Sequence, residues 1–254
     1  MSKIYLLDLD GTMYHGKNII PSAKKFIDHC LKNNIRFYFV TNNASRTLVE
    51  NAQHMLDMGY ENIAPEMFFT SAMAACLFVK KNYDKRKAFV IGSSGLKEAL
   101  NDNGFTIVEK DADFVFVGLD KDANYARYSL GVQNLLDHAI LVGTNLDQII
   151  LTEKGPTIGN GSVVKMMEYA SGQQSLQLGK PFGVYLDECL SYFDLSKDEV
   201  IMVGDNLLTD IALGVNCNID TALVLTGIHQ KEDIDKLNIK PTIVINDLTE
   251  LVNI

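Results

Sequence analysis

The chain has no apolar run approaching the roughly 18 residues that a membrane-spanning helix needs. Its first apolar stretch, Ile4-Tyr5-Leu6-Leu7, is cut short by Asp8 before the roughly 7–15 apolar residues of a secretory signal can accumulate. The expectation is a cytoplasmic protein that is neither exported nor inserted in a membrane. No Cys-x-x-Cys pair occurs. The four cysteines, Cys30, Cys76, Cys189 and Cys217, are scattered, which argues against a zinc site or disulfide framework and for buried, reduced thiols. A Lys/Arg-rich block is lacking as well. The only basic clusters are Lys80-Lys81 and Lys85-Arg86-Lys87, in a chain of formal charge −9, so no nucleic-acid partner is expected. Internal repeats, low-complexity tracts and Pro/Ser-rich linkers are missing too, and composition alone marks no domain boundary.

What is present is the ordinary balance of a globular protein with a real core: 254 residues, 47% hydrophobic and 22% charged. Short apolar, β-branched or aromatic runs alternate with segments of helical period, the pattern of a parallel α/β sheet. Strands are expected at Ile4–Leu7, Phe37–Val40, Ala88–Ile91, Phe114–Val117, Ile140–Val142, Val200–Val203 and Ala222–Leu225. Between them, Ala23, Phe26, Ile27, Cys30 and Leu31 form a helical stripe behind Pro21, a residue suited to a first helical turn. Three further stripes have the same spacing: Val163, Met166, Met167 and Ala170; Leu186, Cys189, Leu190 and Phe193; and Leu208, Ile211, Ala212 and Val215. Open parallel sheets bind ligands beyond the carboxyl ends of their strands, so the residues just after each strand carry the functional information.

The first strand ends in Asp8-Leu9-Asp10-Gly11-Thr12, two carboxylates one residue apart and then a glycine that lets the backbone turn. An EF-hand reading fails. It needs a third oxygen ligand before the glycine and a glutamate further on, where this chain has Lys17 or Asn18 according to register. A plain acidic turn stays open on this motif alone. The second strand runs into Thr41-Asn42-Asn43, which offers a hydroxyl and amide donors to a phosphate oxygen, or else is a simple helix cap. Gly179-Lys180-Pro181 places one lysine after the apolar stretch Leu176–Leu178. Gly204-Asp205-Asn206 follows Val200–Val203, with Thr209 and Asp210 opening the next helical segment. An enzyme of this acidity acting on an anionic ester would have to gather its own cations at the site.

Those four elements, in that order, resemble the haloacid dehalogenase superfamily of aspartate-nucleophile phosphatases. Their wording, with Gly143-Thr144-Asn145-Leu146-Asp147 and Gly159-Asn160-Gly161, is similar to its NagD-like, or p-nitrophenyl phosphatase, branch. One departure stands out: Leu151 precedes Thr152-Glu153, where that branch commonly has a proline, which bears on the rigidity of the loop. The resemblance implies an α/β fold, a doubly wound Rossmann-like core with a parallel sheet at residues 1–78 and 179–254, and an inserted α/β cap at 79–178 that covers the site. It implies that Asp8 is the nucleophile and Asp10 the general acid–base. Mg²⁺ would be held by the Asp8 carboxylate, the Asp10 carbonyl and Asp205, with Asp210 supporting the metal shell or capping its helix. Thr41, Asn42, Asn43, Lys180 and Asn206 would bind the phosphorylated substrate. The partner is then a small phosphorylated metabolite such as a sugar phosphate, a nucleoside monophosphate or p-nitrophenyl phosphate, and a homodimer is left open. A signalling receiver domain also carries strand-end carboxylates, but its acidic pair is adjacent and this chain is far too long for one. A phosphotransferase or a non-catalytic phosphate binder on the same fold is the remaining alternative.

Overall fold

The strand and helix signals are realised, in a computed structural model, as two α/β units. One takes in residues 1–41, 49–69 and 180–254, the other residues 42–48 and 70–179. The structure describes residues 3–152 and 155–253, so Glu153 of the Thr152-Glu153 pair lies outside the described residues.

The first unit begins with β1 (Ile4–Leu7), the hairpin β2 (Tyr14–His15) and β3 (Asn18–Ile19), α1 (Pro21–Lys32), β4 (Phe37–Thr41), α2 (Leu48–Asp57) and β5 (Phe68–Thr70). The second unit follows with α3 (Ser71–Asn82), β6 (Lys87–Ile91), α4 (Ser94–Asp102), β7 (Thr106–Ile107), β8 (Phe114–Val117), α5 (Tyr125–Leu136) and β9 (Ile140–Gly143). It continues through the hairpin β10 (Ile149–Thr152) and β11 (Gly155–Ile158), α6 (Asn160–Ser171) and β12 (Leu176–Gln177). The chain then returns to the first unit with α7 (Gly183–Phe193), β13 (Val200–Gly204), a π-helical turn at Leu207–Ile211, α8 (Ala212–Cys217), β14 (Asp220–Val224), α9 (Lys231–Leu237) and β15 (Ile243–Ile245). No described helix is long and apolar enough to cross a membrane.

The first unit's sheet has the order β15-β14-β13-β1-β4-β5. β1 pairs in parallel with both β13 and β4, and Leu7 stands opposite Val203 on one side and Phe39 on the other. The strand order reverses around β1. The carboxyl ends of β1, β4 and β13 therefore meet at the topological switch point of a doubly wound sheet, where such folds bind ligands. The second unit has its own sheet, β12-β9-β8-β6-β7, parallel at each pairing. Every residue of β13 and of β8 is buried, as expected of central strands covered on both faces.

α1 fits its sequence stripe, burying Ala23, Phe26, Ile27 and Cys30 behind Pro21. Two other stripes are corrected. Of Leu208, Ile211, Ala212 and Val215, only Ile211 is buried, and Leu208 and Val215 are 50% and 44% exposed. The inward face is instead Leu207, Asp210, Ile211, Leu213, Gly214 and Cys217. In α6, Met166 is 43% exposed and Ala170 is also exposed, whereas Gly161, Val164, Met167 and Glu168 face inward. In both segments the inner face carries a carboxylate and a glycine, which hydropathy scores as surface. An apolar count therefore chooses the neighbouring face. Glu168 accepts hydrogen bonds from the backbone N–H and hydroxyl of Ser175 at 3.0 and 2.7 Å and pairs with Lys165 at 2.6 Å, which satisfies its charge.

Candidate active site

Asp8 extends the β1 ladder by one residue, its N–H donating to the carbonyl of Val203 at 2.9 Å. Its carboxylate therefore leaves the sheet at the switch point. The chain then turns at once: the N–H groups of Thr12 and Met13 donate to the Leu9 carbonyl at 3.2 and 2.8 Å, and that of Gly11 donates to Tyr14 at 2.8 Å. Gly11 has φ +85°, a conformation costly for any residue with a Cβ. A Cβ there would also lie 2.3 Å from Oδ2 of Asp205, so the glycine is required twice over. Asp10 is exposed on this turn, bridged to Tyr14.

Lys180 enters from the start of the segment leading into α7 and is 2% exposed. Its ammonium donates to Oδ1 of Asp8 at 2.6 Å, to Oδ1 of Asp210 at 2.6 Å and to the carbonyl of Val40 at 2.9 Å. One buried cation thus ties together the ends of β1 and β4 and the turn after β13. Asp205 follows β13, and its Oδ2 accepts the N–H of Ile228 at 2.7 Å. At Gly227 a Cβ would fall 1.9 Å from that same oxygen, so this loop closes on Asp205 only because it is bare there. Asp210 accepts the N–H of Asn206 at 3.2 Å, and the Asn206 carboxamide oxygen accepts Leu208 N–H at 2.9 Å, capping the π-helical turn. The Leu207 N–H donates to Nδ1 of His229 at 3.2 Å, and burial lowers the His229 pKa, in keeping with a neutral, accepting ring.

Asp8, Asp205 and Asp210 each present a carboxylate oxygen within 4.8 Å of the others, close enough to share one metal ion. The hard oxygen donors fit a hard divalent cation. Crowding is visible in their protonation. Burial, then the charge of Asp210, pushes the Asp8 pKa well up against the pull of Lys180. Burial, then Asp210, pushes Asp205 up to about 7. Burial works against the Lys180 ammonium, but Asp210 and Asp8 outweigh it and hold its pKa above the ordinary value.

Of the residues singled out by sequence, Asp8, Asp10, Thr41, Lys180, Asp205 and Asn206 fall in the first unit and Asn42 and Asn43 in the second. The Asp10 side chain is not in the carboxylate cluster, whereas Asp210 is. In the second unit, the Asn42 side-chain amide donates to both oxygens of Asp147 at 3.2 and 3.3 Å, and the Asn42 backbone carbonyl accepts from Ser71 at 2.6 Å and Asn145 at 2.8 Å. Asn43 turns its oxygen back onto the N–H and hydroxyl of Ser45 at 2.9 and 2.6 Å. The Gly159-Asn160-Gly161 motif also has its explanation. The Asn160 amide donates to Val117, Thr144 and Asn145, and a Cβ at Gly159 would stand 2.1 Å from the Asp147 carbonyl. Gly159→Ala is therefore expected to lower stability by about 1–3 kcal/mol, as overpacking does. Thermal denaturation checks it, and an unchanged midpoint would contradict it.

Sequence reasoning missed Thr226, Gly227 and Tyr185. The hydroxyl of Thr226 donates to the Gly11 carbonyl at 2.8 Å, and inspection of the residues after the fourth core strand would have found it. Tyr185 carried no signal, because on α7 it reads as an ordinary core residue.

A haloacid dehalogenase-like hydrolase family model matches residues 5–106, and a second, HAD-hydrolase-like model matches residues 177–251. The chain is 35% identical to a 5'-nucleotidase of Bacillus subtilis over 98% of its own length and 97% of the relative's. It is 36% identical to an acid sugar phosphatase of Staphylococcus saprophyticus, covering 98% and 96%. Among solved structures, 4-nitrophenylphosphatase from Thermotoga maritima superposes with a TM-score of 0.93 at 30% identity, covering 100% of this chain and 97% of that one. NagD from E. coli superposes with a TM-score of 0.89 at 28% identity, covering 98% of each. With its motifs at the switch point and its relatives matched end to end, the chain belongs to the haloacid dehalogenase-like hydrolases and is NagD-like among them.

Proposed function

We propose that this protein is a Mg²⁺-dependent phosphatase of small phosphomonoesters that works through a phosphorylated Asp8. The observation that carries the reading is the Asp8 carboxylate at the switch point, 2.6 Å from a buried ammonium and clustered with two further carboxylates. Relatives named as a 5'-nucleotidase, an acid sugar phosphatase and a 4-nitrophenylphosphatase support the substrate class. Asp8 and Asp205 would hold the metal through their carboxylates and Asp10 through its carbonyl, with Asp210 beside them. Bound there, Mg²⁺ would neutralise phosphate oxygens and lower the repulsion between a carboxylate and an anionic ester.

An Oδ of Asp8 attacks phosphorus while the bond to the ester oxygen breaks, and the departing alcohol takes a proton from Asp10. Water then attacks the acyl phosphate and gives its proton to Asp10, releasing inorganic phosphate and restoring the Asp8 carboxylate. Lys180, Thr41, Asn42, Asn43 and Asn206 would supply donors to the phosphoryl group, with Lys180 the only full positive charge among them. Phosphate release from p-nitrophenyl phosphate with and without Mg²⁺ tests the reading. No release under either condition would overturn it.

Asp10→Asn separates the two steps. p-Nitrophenolate leaves without a proton, so the variant should give about one equivalent of nitrophenol per site in a burst, followed by a slow phase. An alkyl phosphate, whose alkoxide needs the proton, should give no burst. Near-normal steady-state rates on both esters would remove Asp10 from the chemistry.

Asp205 should make the metal-free protein less stable as pH rises, by comparison with Asp205→Asn. The folded pKa of Asp205, about 7, exceeds the ordinary carboxylate value, so between the two the native state binds more protons than the unfolded chain. The Asp205 contribution to stability therefore falls from about pH 4 to about pH 7 and stays lower above, while the lowered pKa of His229 acts in the opposite sense. Mg²⁺, which binds the ionised carboxylates, should restore it most at high pH. Thermal midpoints across that range, with chelator or with Mg²⁺, check this. A midpoint advantage of the metal-free unaltered protein over Asp205→Asn that grows with pH would contradict it.

A further inference from the structure

Tyr185 stands fully buried on α7, a residue that in most respects belongs to the core. Its hydroxyl, though, does not point into apolar surroundings. It reaches the ends of two neighbouring strands, 3.2 Å from the carbonyl of Thr41 at the end of β4 and 2.9 Å from that of Phe69 in β5. Burial raises its pKa well above the ordinary phenol value, so the group keeps its proton and acts as a donor. The ring is held edge-on against Phe69 at 5.3 Å between centroids, which leaves the hydroxyl little freedom to move.

A peptide unit is planar and trans, so fixing the direction of a carbonyl fixes the N–H of the next residue in the opposite direction. Lys180 does this for the first peptide of the turn, holding Val40 C=O at 2.9 Å and thereby orienting the N–H of Thr41. Tyr185 bears on the second, its single proton shared between Phe69 C=O at 2.9 Å and Thr41 C=O at 3.2 Å, and through the latter it helps to orient the N–H of Asn42. Since Val40 C=O faces Lys180 beside Asp8, the Thr41 N–H points away toward β5, and the Asn42 N–H is the amide donor that the turn can offer to a phosphate oxygen. From this geometry we infer that Tyr185 is a positioning residue of the phosphate-binding turn, acting through the Thr41–Asn42 peptide without touching substrate. The inference rests on the phosphatase reading given above. It also accounts for a hydroxyl that a purely apolar core position has no need of, since phenylalanine would fill the same space.

Tyr185→Phe keeps the ring and removes the donor. In the Mg²⁺-loaded protein, the dissociation constant for inorganic phosphate, measured as competitive inhibition of p-nitrophenyl phosphate hydrolysis, should rise about threefold, in line with losing part of a shared hydrogen bond. The Mg²⁺ concentration giving half activation should stay unchanged. Phe26→Leu, a buried substitution in α1, serves as the control for lost stability alone and should leave phosphate affinity as it was. If Tyr185→Phe binds phosphate as the unaltered protein does, or if Phe26→Leu weakens phosphate equally, the positioning role is wrong. Should Tyr185→Phe fail to fold, 3-fluorotyrosine at position 185 keeps the hydroxyl, and its ¹⁹F resonance should shift on titration with phosphate at the inhibition midpoint. A resonance unmoved by phosphate would overturn the inference. If the unaltered protein does not hydrolyse the ester at all, the phosphatase reading fails instead, and the two failures are told apart.

Discussion

Asp8→Asn protein is expected to release no phosphate above background from any ester, a loss on the order of 10⁴-fold or more, as when a covalent nucleophile is removed. An amide oxygen is a poor nucleophile and a weaker ligand for a hard cation than a carboxylate. The fold should survive. Around the Lys180 ammonium the protein packs the carboxylates of Asp8 and Asp210, with that of Asp205 close by. The raised pKa of Asp8 says that its charge is disfavoured there, first by burial and then by Asp210. Making that group neutral relieves repulsion while Asp210 still pairs with the lysine. The metal-free variant should therefore be at least as stable as the unaltered protein at about pH 8, which separates lost chemistry from lost folding. Measurable turnover by well-folded Asp8→Asn protein would remove Asp8 as the nucleophile.

Lys180→Met should damage both activity and stability. Removing the one cationic side chain proposed to face the phosphoryl group is expected to lower kcat/KM by about 10³-fold, the scale set by removal of a preorganised electrostatic donor. The stability cost is separate. Lys180 donates to two buried carboxylates and a carbonyl. Breaking a buried pair by deleting one partner costs about 3–5 kcal/mol, because the other charge is left uncompensated. Here Asp8 and Asp205, whose pKa values are already raised and are held down in part by Lys180, rise further without the cation, so protonation can relieve the charge. The loss should therefore be smaller at about pH 5 than at about pH 8. Chemical denaturation of the metal-free variant at both values measures it. Equal loss at the two pH values would mean that the lysine acts through packing alone.

The first unit was legible because its candidate site residues sit at strand ends. Ile4–Leu7 and Phe114–Val117 are strands at their expected limits, and the residues after Ile4–Leu7, Phe37–Val40 and Val200–Val203 meet at one switch point. Short edge strands escaped notice, as with Phe68–Thr70 and Ile243–Ile245, whose three residues are too few to set a period. The helix faces of the 207–217 and 160–171 segments were read one residue off, since Asp210 and Glu168 point inward and hydropathy counts them outward. Asp210 was noticed in its motif, but only three-dimensional packing joins its carboxylate to Lys180. The contacts of Tyr185 with Thr41 and Phe69 span 144 and 116 residues of sequence and leave no local trace.

The covalent intermediate is the centre of the account, and it can be isolated. Asp10→Asn protein mixed with Mg²⁺ and radiolabelled p-nitrophenyl phosphate, then quenched in acid within the burst phase, should carry about one phosphate per chain. Proteolysis should place the label on the peptide containing Asp8, as an acyl phosphate cleaved by hydroxylamine, and Asp8→Asn in the same background should take up none. Label on another residue, or unlabelled protein while nitrophenol is still released in a burst, would contradict it.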